Sequence, residues 1–173
     1  MPGPLAGAGI GSTPTDRRDP KRVSRQAGYT DRMTVIGVDD TDSRTGGMCT
    51  TYLATRVAAA LRADGARVAR LLLIRLNPAV EHKTRGNAAL ALHTDADPDR
   101  ALAAAIAELE PLAETDDPRT SPGVVVAPGA PDAVPPAVRS FSRRAVRDLL
   151  DRETAVDLAD RSGYRHRGWS GGR

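Results

Sequence analysis

Residues 34–53 read TVIGVDDTDSRTGGMCTTYL and contain the first strand, the first loop and the start of the first helix that the sequence predicts. The β-branched run 34–38 is typical of a strand, and the polar, glycine-containing segment 39–47 ends it. From Cys49 onward, apolar side chains recur at a spacing of four, which predicts a helix over about 48–63. A polar loop is therefore expected between the end of a strand and the N-terminus of a helix.

The apolar patterns that follow extend this unit into a larger core. They predict strands at 68–76, 88–93 and 124–127, a helix at about 98–114, and a last helix, opened by Pro135-Pro136, with an apolar side running from Val138 to Leu150. The order of elements, βαββαβ, is that of an α+β fold with a ferredoxin-like split βαβ core. The C-terminal segment adds extra helices to that core.

Charge is distributed unevenly along the chain. Residues 1–32 hold six basic and three acidic groups, residues 33–160 hold 15 and 19, and residues 161–173 hold four and none. The first segment has no apolar periodicity and is expected to be a disordered extension before a folded domain that starts at Met33. The last segment is expected to begin a longer continuation. An RNA partner would be attracted to the basic ends and to local clusters, because the central domain is net acidic.

The cysteine content bounds the compartment and the metal chemistry. Cys49 is the single cysteine, which excludes an intrachain disulfide and a Cys-x-x-Cys zinc pair within these residues. A reducing, cytoplasmic location is expected. No apolar run approaches the length of a transmembrane helix, so we expect no membrane partner.

The loop after the first predicted strand concentrates carboxylates. Asp39, Asp40 and Asp42 lie within four residues and repel one another, so a fold that gathers them favours a cation with oxygen ligands. Mg²⁺ together with a phosphate is the preferred interpretation, and a solvated acidic turn is the alternative.

Gly46 and Gly47 end this loop where the predicted helix begins. Free backbone N–H groups and the positive end of the helix predict an anion site beside the carboxylates, with the Thr50 and Thr51 hydroxyls near it. Alternatively, the glycines form only a tight turn, a threonine caps the helix, and Cys49 packs in the core.

A second polar cluster follows the second predicted strand. It comprises Arg75, the Asn77-Pro78 break and the segment 82–87, in which Lys83 and Arg85 precede Gly86-Asn87. Such cations can hold phosphate oxygens, although loops of this composition are also ordinary solvated connections. Near the C-terminus, the segment 164–169 mixes Tyr, His and Trp with arginines, which is typical of base stacking and equally of a disordered basic end.

Four segments in this order resemble TiaS, the archaeal 2-agmatinylcytidine synthetase family, which acts on the minor, AUA-decoding isoleucine tRNA. They are VDDTDS at 38–43, GGMCTTYL at 46–53, IRLNP at 74–78 and KTRGN at 83–87. The resemblance covers 33–173 and implies that 33–160 is an ATP-dependent, kinase-like catalytic domain. It also implies that ATP activates the 2-oxo group of the wobble cytidine, that agmatine displaces it, and that agmatidine results.

The same resemblance implies roles for individual residues. Thr50 corresponds to an autophosphorylated threonine, and Asp40 and Asp42 join it as catalytic residues. The three carboxylates at 39, 40 and 42 would hold Mg²⁺ and the ATP phosphates, and the residues expected near the nucleotide are Asp39, Ser43, Gly46, Gly47, Lys83, Arg85 and Asn87. Family members continue into a ferredoxin-like domain, an OB-fold and a zinc ribbon, so contacts with tRNA and agmatine are expected partly outside these residues.

Two other functions are compatible with parts of the sequence. Asp40-Thr41-Asp42 after a strand has the D-x-D form of a haloacid-dehalogenase-type phosphotransferase, in which Asp40 would be the nucleophile. The terminal arginines and Trp169 are compatible with a non-catalytic RNA-binding module. Neither alternative explains the Gly-Gly-Met-Cys-Thr-Thr segment.

Overall fold

The computed structural model describes residues 33–81, 83 and 86–168. The disorder expected for 1–32 concerns residues outside this description, as do the expectations for His82, Arg85 and Trp169. In the described part, no helix is both long enough and apolar enough to cross a membrane.

The described residues form a mixed α/β structure with one antiparallel sheet. Its strands are β1 (Thr34–Asp39), β2 (Val68–Arg75), β3 (Ala88–Thr94), β4 (Gly123–Pro128) and β5 (Arg165–Gly168), in the order β2-β3-β1-β4-β5. Its helices are α1 (Thr50–Ala63), α2 (Pro98–Leu109), α3 (Pro136–Ala145) and α4 (Arg152–Arg161). Every neighbouring pair of strands is antiparallel. The strand β1 pairs with both β3 and β4 and lies between them.

The core lies between one face of the sheet and the helices α1 and α2. Alternate residues of β1, including Ile36 and Val38, are buried on this face, as the strand period of two requires. Leu53, Val57 and Leu61 of α1 are buried against them. Packing of this stripe, and of the shorter one on α2, fixes the end of β1 beside the start of α1.

The first two helices differ in their N-cap residues. Asp97 caps α2, because its side chain accepts hydrogen bonds from the backbone N–H groups of Asp99 and Arg100. Cys49 occupies the N-cap of α1 but makes no side-chain cap hydrogen bond. The alternative in which Cys49 packs in the core is wrong: its side chain is exposed, and Met48 is buried in its place. The helix begins at Thr50, so position 49 precedes the buried stripe.

The C-terminal part of the chain departs from the sequence pattern. The helix expected from Pro135-Pro136 onward ends at Ala145, and its apolar residues Val146 and Leu149 are exposed. The pattern also missed β5, a strand of alternating Arg and His residues that pairs with β4. The residues of β5 show no apolar pattern that would indicate a strand. Tertiary contacts hold them instead: Arg165 forms an ion pair with Asp99, and His166 is hydrogen-bonded to Asp160 of α4.

Candidate active site

A cavity of about 380 Å³ opens at the carboxyl end of β1. Three segments enclose it: the Asp loop (residues 39–47), the start of α1, and the β2–β3 loop (residues 76–87) with the strand ends beside it. Its lining comprises Asp39, Asp40, Asp42, Cys49, Thr50, Thr51, Leu73, Arg75, Val80, Lys83, Gly86, Asn87, Ala88 and Leu90. The fold therefore brings together the two polar clusters that the sequence places more than thirty residues apart.

The carboxylates of the Asp loop are partly buried and close together. Burial, and then the negative charges of Asp40 and Asp42, raises the pKa of Asp39 to about 7, although a hydrogen bond from the Asp40 backbone N–H acts in the opposite direction. Burial also raises the pKa of Asp40, against a hydrogen bond of 2.7 Å from the Ser121 N–H to Asp40 Oδ2. Asp40 has a φ of +51°, a left-handed conformation that Asp tolerates better than most residues.

These carboxylates fit a hard cation by chemistry, because ionising buried neighbours without a counter-charge is unfavourable. Their positions, however, do not form a complete metal site. Across the described part of the chain, no three His, Cys, Asp or Glu side chains are grouped as a metal site. One oxygen of Asp40 is instead directed at Ser121. The Mg²⁺ site at Asp39, Asp40 and Asp42 therefore stays a prediction.

Thr50 is the first residue of α1 and is 7% exposed. Its hydroxyl oxygen accepts a hydrogen bond of 2.9 Å from the hydroxyl of Thr41, which is fully buried. Because a threonine hydroxyl is also a donor, the Thr50 proton can still be directed to another acceptor. Thr51 also lines the cavity, but it is exposed and hydrogen-bonded to Cys49, an interaction that lowers the pKa of the Cys49 thiol.

The two glycines of the Asp loop are not equivalent. A Cβ at Gly46 would lie 2.5 Å from Ser43 Oγ and 2.8 Å from Glu114 Cδ, so no side chain fits without displacing its neighbours. The Gly46 N–H donates to Ser43 Oγ, and Ser43 is 3% exposed. A Cβ at Gly47 would have no atom within 4 Å. Gly46 is therefore the glycine that the loop requires.

The β2–β3 loop supplies cations and is tied to the Asp loop. Arg44 Nη2 donates to the carbonyl oxygen of Lys83 at 2.9 Å. The Lys83 ammonium donates to the carbonyl oxygen of Pro78. Asn87 Nδ2 donates to the carbonyl oxygen of Asn77 at 2.8 Å, so Asn87 organises the loop as well as lining the cavity. Arg85 lies outside the described residues.

Sequence reasoning did not find the groups that hold the Asp loop from behind. Thr120 Oγ1 donates to the carbonyl oxygen of Asp42 at 2.9 Å, and the Glu114 N–H donates to the carbonyl oxygen of Thr41 at 3.1 Å. Both residues belong to the α2–β4 loop (residues 110–122), whose polar composition gave no sign of a contact with the Asp loop. Their positions depend on tertiary pairing of β1 with β4.

The sequence of this chain matches a described protein family over nearly all of its folded part. The family is the TiaS TCKD domain, and the matched residues are 35–96 and 93–170. The chain belongs to the TiaS family. The motifs of the Asp loop, of the start of α1 and of the β2–β3 loop all lie within the matched residues.

Curated relatives carry the same family name. The isoleucine-tRNA 2-agmatinylcytidine synthetase TiaS of Haloquadratum walsbyi is 56% identical over 142 residues, which are 82% of this chain and 31% of that protein. The TiaS of Methanosarcina acetivorans is 38% identical over 141 residues, covering 80% of this chain and 33% of the relative. The chain thus spans about a third of the length of these relatives.

Solved TiaS structures share the fold. In the crystal structure of a complex of TiaS with an isoleucine tRNA and ATP, 31% of the aligned residues are identical, and the TM-score is 0.73 over 82% of this chain and 34% of that one. A complex of TiaS with the same kind of tRNA, AMPCPP and agmatine gives a TM-score of 0.71 at 26% identity, over 82% of this chain and 33% of that one. The mixed α/β architecture with its antiparallel sheet is therefore that of TiaS.

Proposed function

We propose that this chain is the nucleotide-handling part of a tRNA-modifying ligase that uses ATP to form 2-agmatinylcytidine at the wobble cytidine of the minor, AUA-decoding isoleucine tRNA. The observation that carries the proposal is the cavity in which the Asp loop, the N-terminus of α1 and Lys83 meet. Relatives named for this activity support it, as do TiaS complexes with an isoleucine tRNA, ATP and agmatine. Family membership favours the synthetase over a haloacid-dehalogenase-type phosphotransferase and over a non-catalytic RNA-binding module.

In this proposal the ATP phosphates lie against the start of α1. Backbone N–H groups at a helix N-terminus and the positive end of the helix attract phosphate oxygens, and the absence of a side chain at Gly46 keeps the Asp loop compact beside them. Lys83 and Asn87 approach from the β2–β3 loop, and Arg85 and Ser43 are the other nucleotide-binding residues we propose. Asp39, Asp40 and Asp42 would hold Mg²⁺, which supplies positive charge to the phosphates when bound.

The chemistry that we propose is activation followed by displacement. A phosphoryl group passes from ATP to the 2-oxo oxygen of the wobble cytidine, which turns a poor leaving group into a good one. The amine of agmatine then forms the new C–N bond at C2 and loses a proton, and the C–O bond breaks with release of phosphate. Cations around the transferred group stabilise the charge that moves in each step.

Thr50 is proposed as a phosphate acceptor of the same site. Its hydroxyl is positioned by Thr41 at the wall of the cavity, beside the carboxylates. Asp40 and Asp42 are the catalytic carboxylates that we propose with it.

We further infer that the sheet is of the ferredoxin-like kind, with α3 and α4 as additions to it. The order β2-β3-β1-β4 supports this, because β3 lies between β1 and β2 as in a split βαβ unit. The proposed domain limits are 1–32 for the extension, 33–160 for the catalytic domain and 161–173 for the start of a continuation, whose strand β5 joins the sheet of the catalytic domain. A cytoplasmic location is proposed from the tRNA substrate and the single cysteine.

The test of the nucleotide site compares three Asp→Asn variants by calorimetry with Mg-ATP. Asp40→Asn and Asp42→Asn should each weaken binding at least roughly tenfold, which corresponds to about 1.4 kcal/mol. Asn also tolerates the left-handed conformation at position 40, so the fold should survive. Asp132→Asn, on the turn between β4 and α3, is the matched control.

Unchanged Mg-ATP affinity in both Asp-loop variants would contradict the proposed site. Agmatidine formation is measured separately, by nucleoside analysis after incubating the chain and a full-length relative with the AUA-decoding isoleucine tRNA, agmatine and Mg-ATP. Failure of the relative to depend on the same Asp positions would contradict the proposed role of these carboxylates in modification.

A further inference from the structure

The helix α3 and the turn after it carry arginines that differ in their partners. Arg139 Nε donates to the carbonyl oxygen of Val134 at 2.9 Å, and Arg144 lies 3.4 Å from Asp148 in an ion pair. The side chains of Arg143 and Arg147 are exposed and have no ion pair or hydrogen bond with any described residue. These two arginines are four positions apart, Arg143 in the last turn of α3 and Arg147 in the turn that follows the helix. We call them the α3 arginine pair.

The α3 arginine pair is fixed close to the cavity. Asn77 Nδ2 donates to the backbone carbonyl oxygen of Arg147 at 2.9 Å, and the carbonyl oxygen of Asn77 accepts from Asn87, which lines the cavity. The backbone of Arg147 is thus two hydrogen bonds from the cavity wall. On that wall, Arg75 is a further exposed guanidinium without a hydrogen bond or ion pair to the described residues.

This arrangement differs from that of several other exposed arginines, which are paired with carboxylates. Arg56 pairs with Glu108, Arg100 with Asp64 and Arg161 with Asp157. Residues 33–160 hold 15 basic and 19 acidic groups, so arginines without a carboxylate partner stand against a net negative background. Several guanidinium groups on one cavity wall and on the segment tied to it match the repeated phosphates of a nucleic-acid strand better than they match a single anion.

We propose that the α3 arginine pair, continued by Arg75, binds the phosphates of the RNA strand that flank the nucleotide entering the cavity. The proposal rests on the proposed function, for which it supplies the entry path of the substrate. In the proposed function the cavity holds the phosphates of ATP, which repel those of an RNA backbone, so the phosphates beside the target nucleotide are held outside it. The hydrogen bonds through Asn77 hold the backbone of Arg147 beside the cavity wall, where such phosphates would lie.

The experiment measures binding of a fluorescently labelled anticodon stem–loop RNA to the full chain over a range of salt concentrations. In the double variant Arg143→Gln/Arg147→Gln, affinity should fall roughly tenfold or more near 0.1 M salt, and the slope of log K against log salt should become shallower by about 0.7–0.9 for each lost contact. Arg143→Lys/Arg147→Lys retains the charges and should keep most of the affinity. Arg70→Gln/Arg100→Gln removes the same charge away from the cavity and is the control.

Equal RNA affinity and equal salt slope in the unvaried chain and the α3 Gln variant would overturn the proposal. So would an equal loss in the Arg70/Arg100 control, which would make the effect one of net charge. Binding of the unvaried chain to anionic lipid vesicles but not to the RNA would assign the α3 arginine pair to a membrane surface. Mg-ATP affinity is measured on the same samples. If the unvaried chain does not bind Mg-ATP, that result counts against the nucleotide site without altering the RNA result.

Discussion

At the scale of single residues, the Asp loop shows how one atom can decide a backbone path. Gly46 packs where a Cβ would meet Ser43 and Glu114, and Gly47, its neighbour, faces open space. The pair Gly-Gly in the sequence suggests equal importance for both positions. The structure assigns the steric requirement to Gly46 alone.

Gly46→Ala should therefore destabilise the chain by about 1–3 kcal/mol, the usual cost of forcing an extra methyl group into a packed site. It should also weaken Mg-ATP binding, because the Gly46 N–H would be displaced from Ser43. Gly47→Ala should leave both quantities close to those of the unvaried chain. Thermal unfolding and calorimetry measure them, and similar effects of the two substitutions would show that the loop tolerates side chains at both positions.

The hydroxyl of Thr50 should become phosphorylated when the chain is incubated with Mg-ATP, and that of Thr51 should not. Thr50 is buried beside Thr41 at the cavity wall, whereas Thr51 is exposed and bonded to Cys49. Mass spectrometry locates the phosphate, with Thr50→Ala and Thr51→Ala as the variants.

Thr41 provides a control that separates positioning from folding. Thr41→Ser keeps the hydroxyl that donates to Thr50 and should retain phosphorylation, whereas Thr41→Val removes this donor and should slow the reaction. In a full-length TiaS, the equivalent of Thr50→Ala should suppress agmatidine formation more than that of Thr51→Ala. Normal activity there would leave Thr50 only a structural role.

At the scale of secondary-structure elements, β2 and β3 place a positive charge against a buried histidine. His93 is 8% exposed and lies opposite Arg70 on β2 and Val35 on β1. Burial, and then the charge of Arg70, lowers the pKa of His93. The unfolded chain therefore takes up a proton more readily than the folded chain as the pH falls.

We predict that the contribution of His93 to stability decreases as the pH falls below about 6.5, the ordinary pKa of histidine, because protonation there favours the unfolded state. The raised pKa values of Asp39 and Asp40 act in the opposite direction, so the contribution of His93 is read from the difference between variants. Arg70→Gln should raise the pKa of His93 and reduce this loss, although burial still opposes protonation. Arg100→Gln, on a helix packed against the other face of the sheet, is the control. Thermal unfolding between pH 8 and 5 and NMR titration of His93 measure the two effects. An unchanged His93 pKa in Arg70→Gln would show that burial acts alone.

The elements that the sequence predicted well are those with strong local periodicity. β1, α1, β3 and β4 lie within one or two residues of their expected limits, since buried side chains recur there at the period of a strand or helix. β5 was missed because its four residues, Arg165–Gly168, include no apolar side chain, and pairing with β4 alone makes them a strand. The break at Ala145 was missed because the apolar pattern continues through Leu150 although little of it is buried.

The candidate site was likewise predicted only in part. The sequence predicted the Asp loop and the β2–β3 loop as polar segments, and the cavity contains residues from both. The supporting contacts of Thr120 and Ser121 were beyond sequence reasoning, since 78 and 81 residues separate them from Asp42 and Asp40. Only tertiary structure shows that these segments meet.

At the scale of the whole molecule, the net charge of the two terminal segments differs in sign from that of the residues between them. The segments 1–32 and 161–173 are basic and residues 33–160 are net acidic, although β5 of the last segment is part of the sheet. Such a distribution attracts RNA through phosphates, which carry no information about sequence. Discrimination between tRNAs then requires contacts with bases.

We predict that these 173 residues bind the AUA-decoding isoleucine tRNA and an unrelated elongator tRNA with affinities that differ by less than roughly threefold. Both affinities should fall steeply as salt increases. Titrations of the two tRNAs at several salt concentrations, with a full-length TiaS as the positive control, measure the ratio. A strong preference of this chain for the isoleucine tRNA at physiological salt would place the recognition surface within it.

The contact between Ser121 and Asp40 also bears on how the protein is made. During synthesis the Asp loop leaves the ribosome some 80 residues before the segment that fixes it from behind. Until that segment has been made, Asp40 lacks the hydrogen bond from Ser121 and Asp42 lacks the one from Thr120. A nascent or broken polypeptide that ends before Ser121 would therefore lack a formed phosphate-handling loop. If the Asp loop binds nucleotide as proposed, we expect that ability only after β4 has paired with β1.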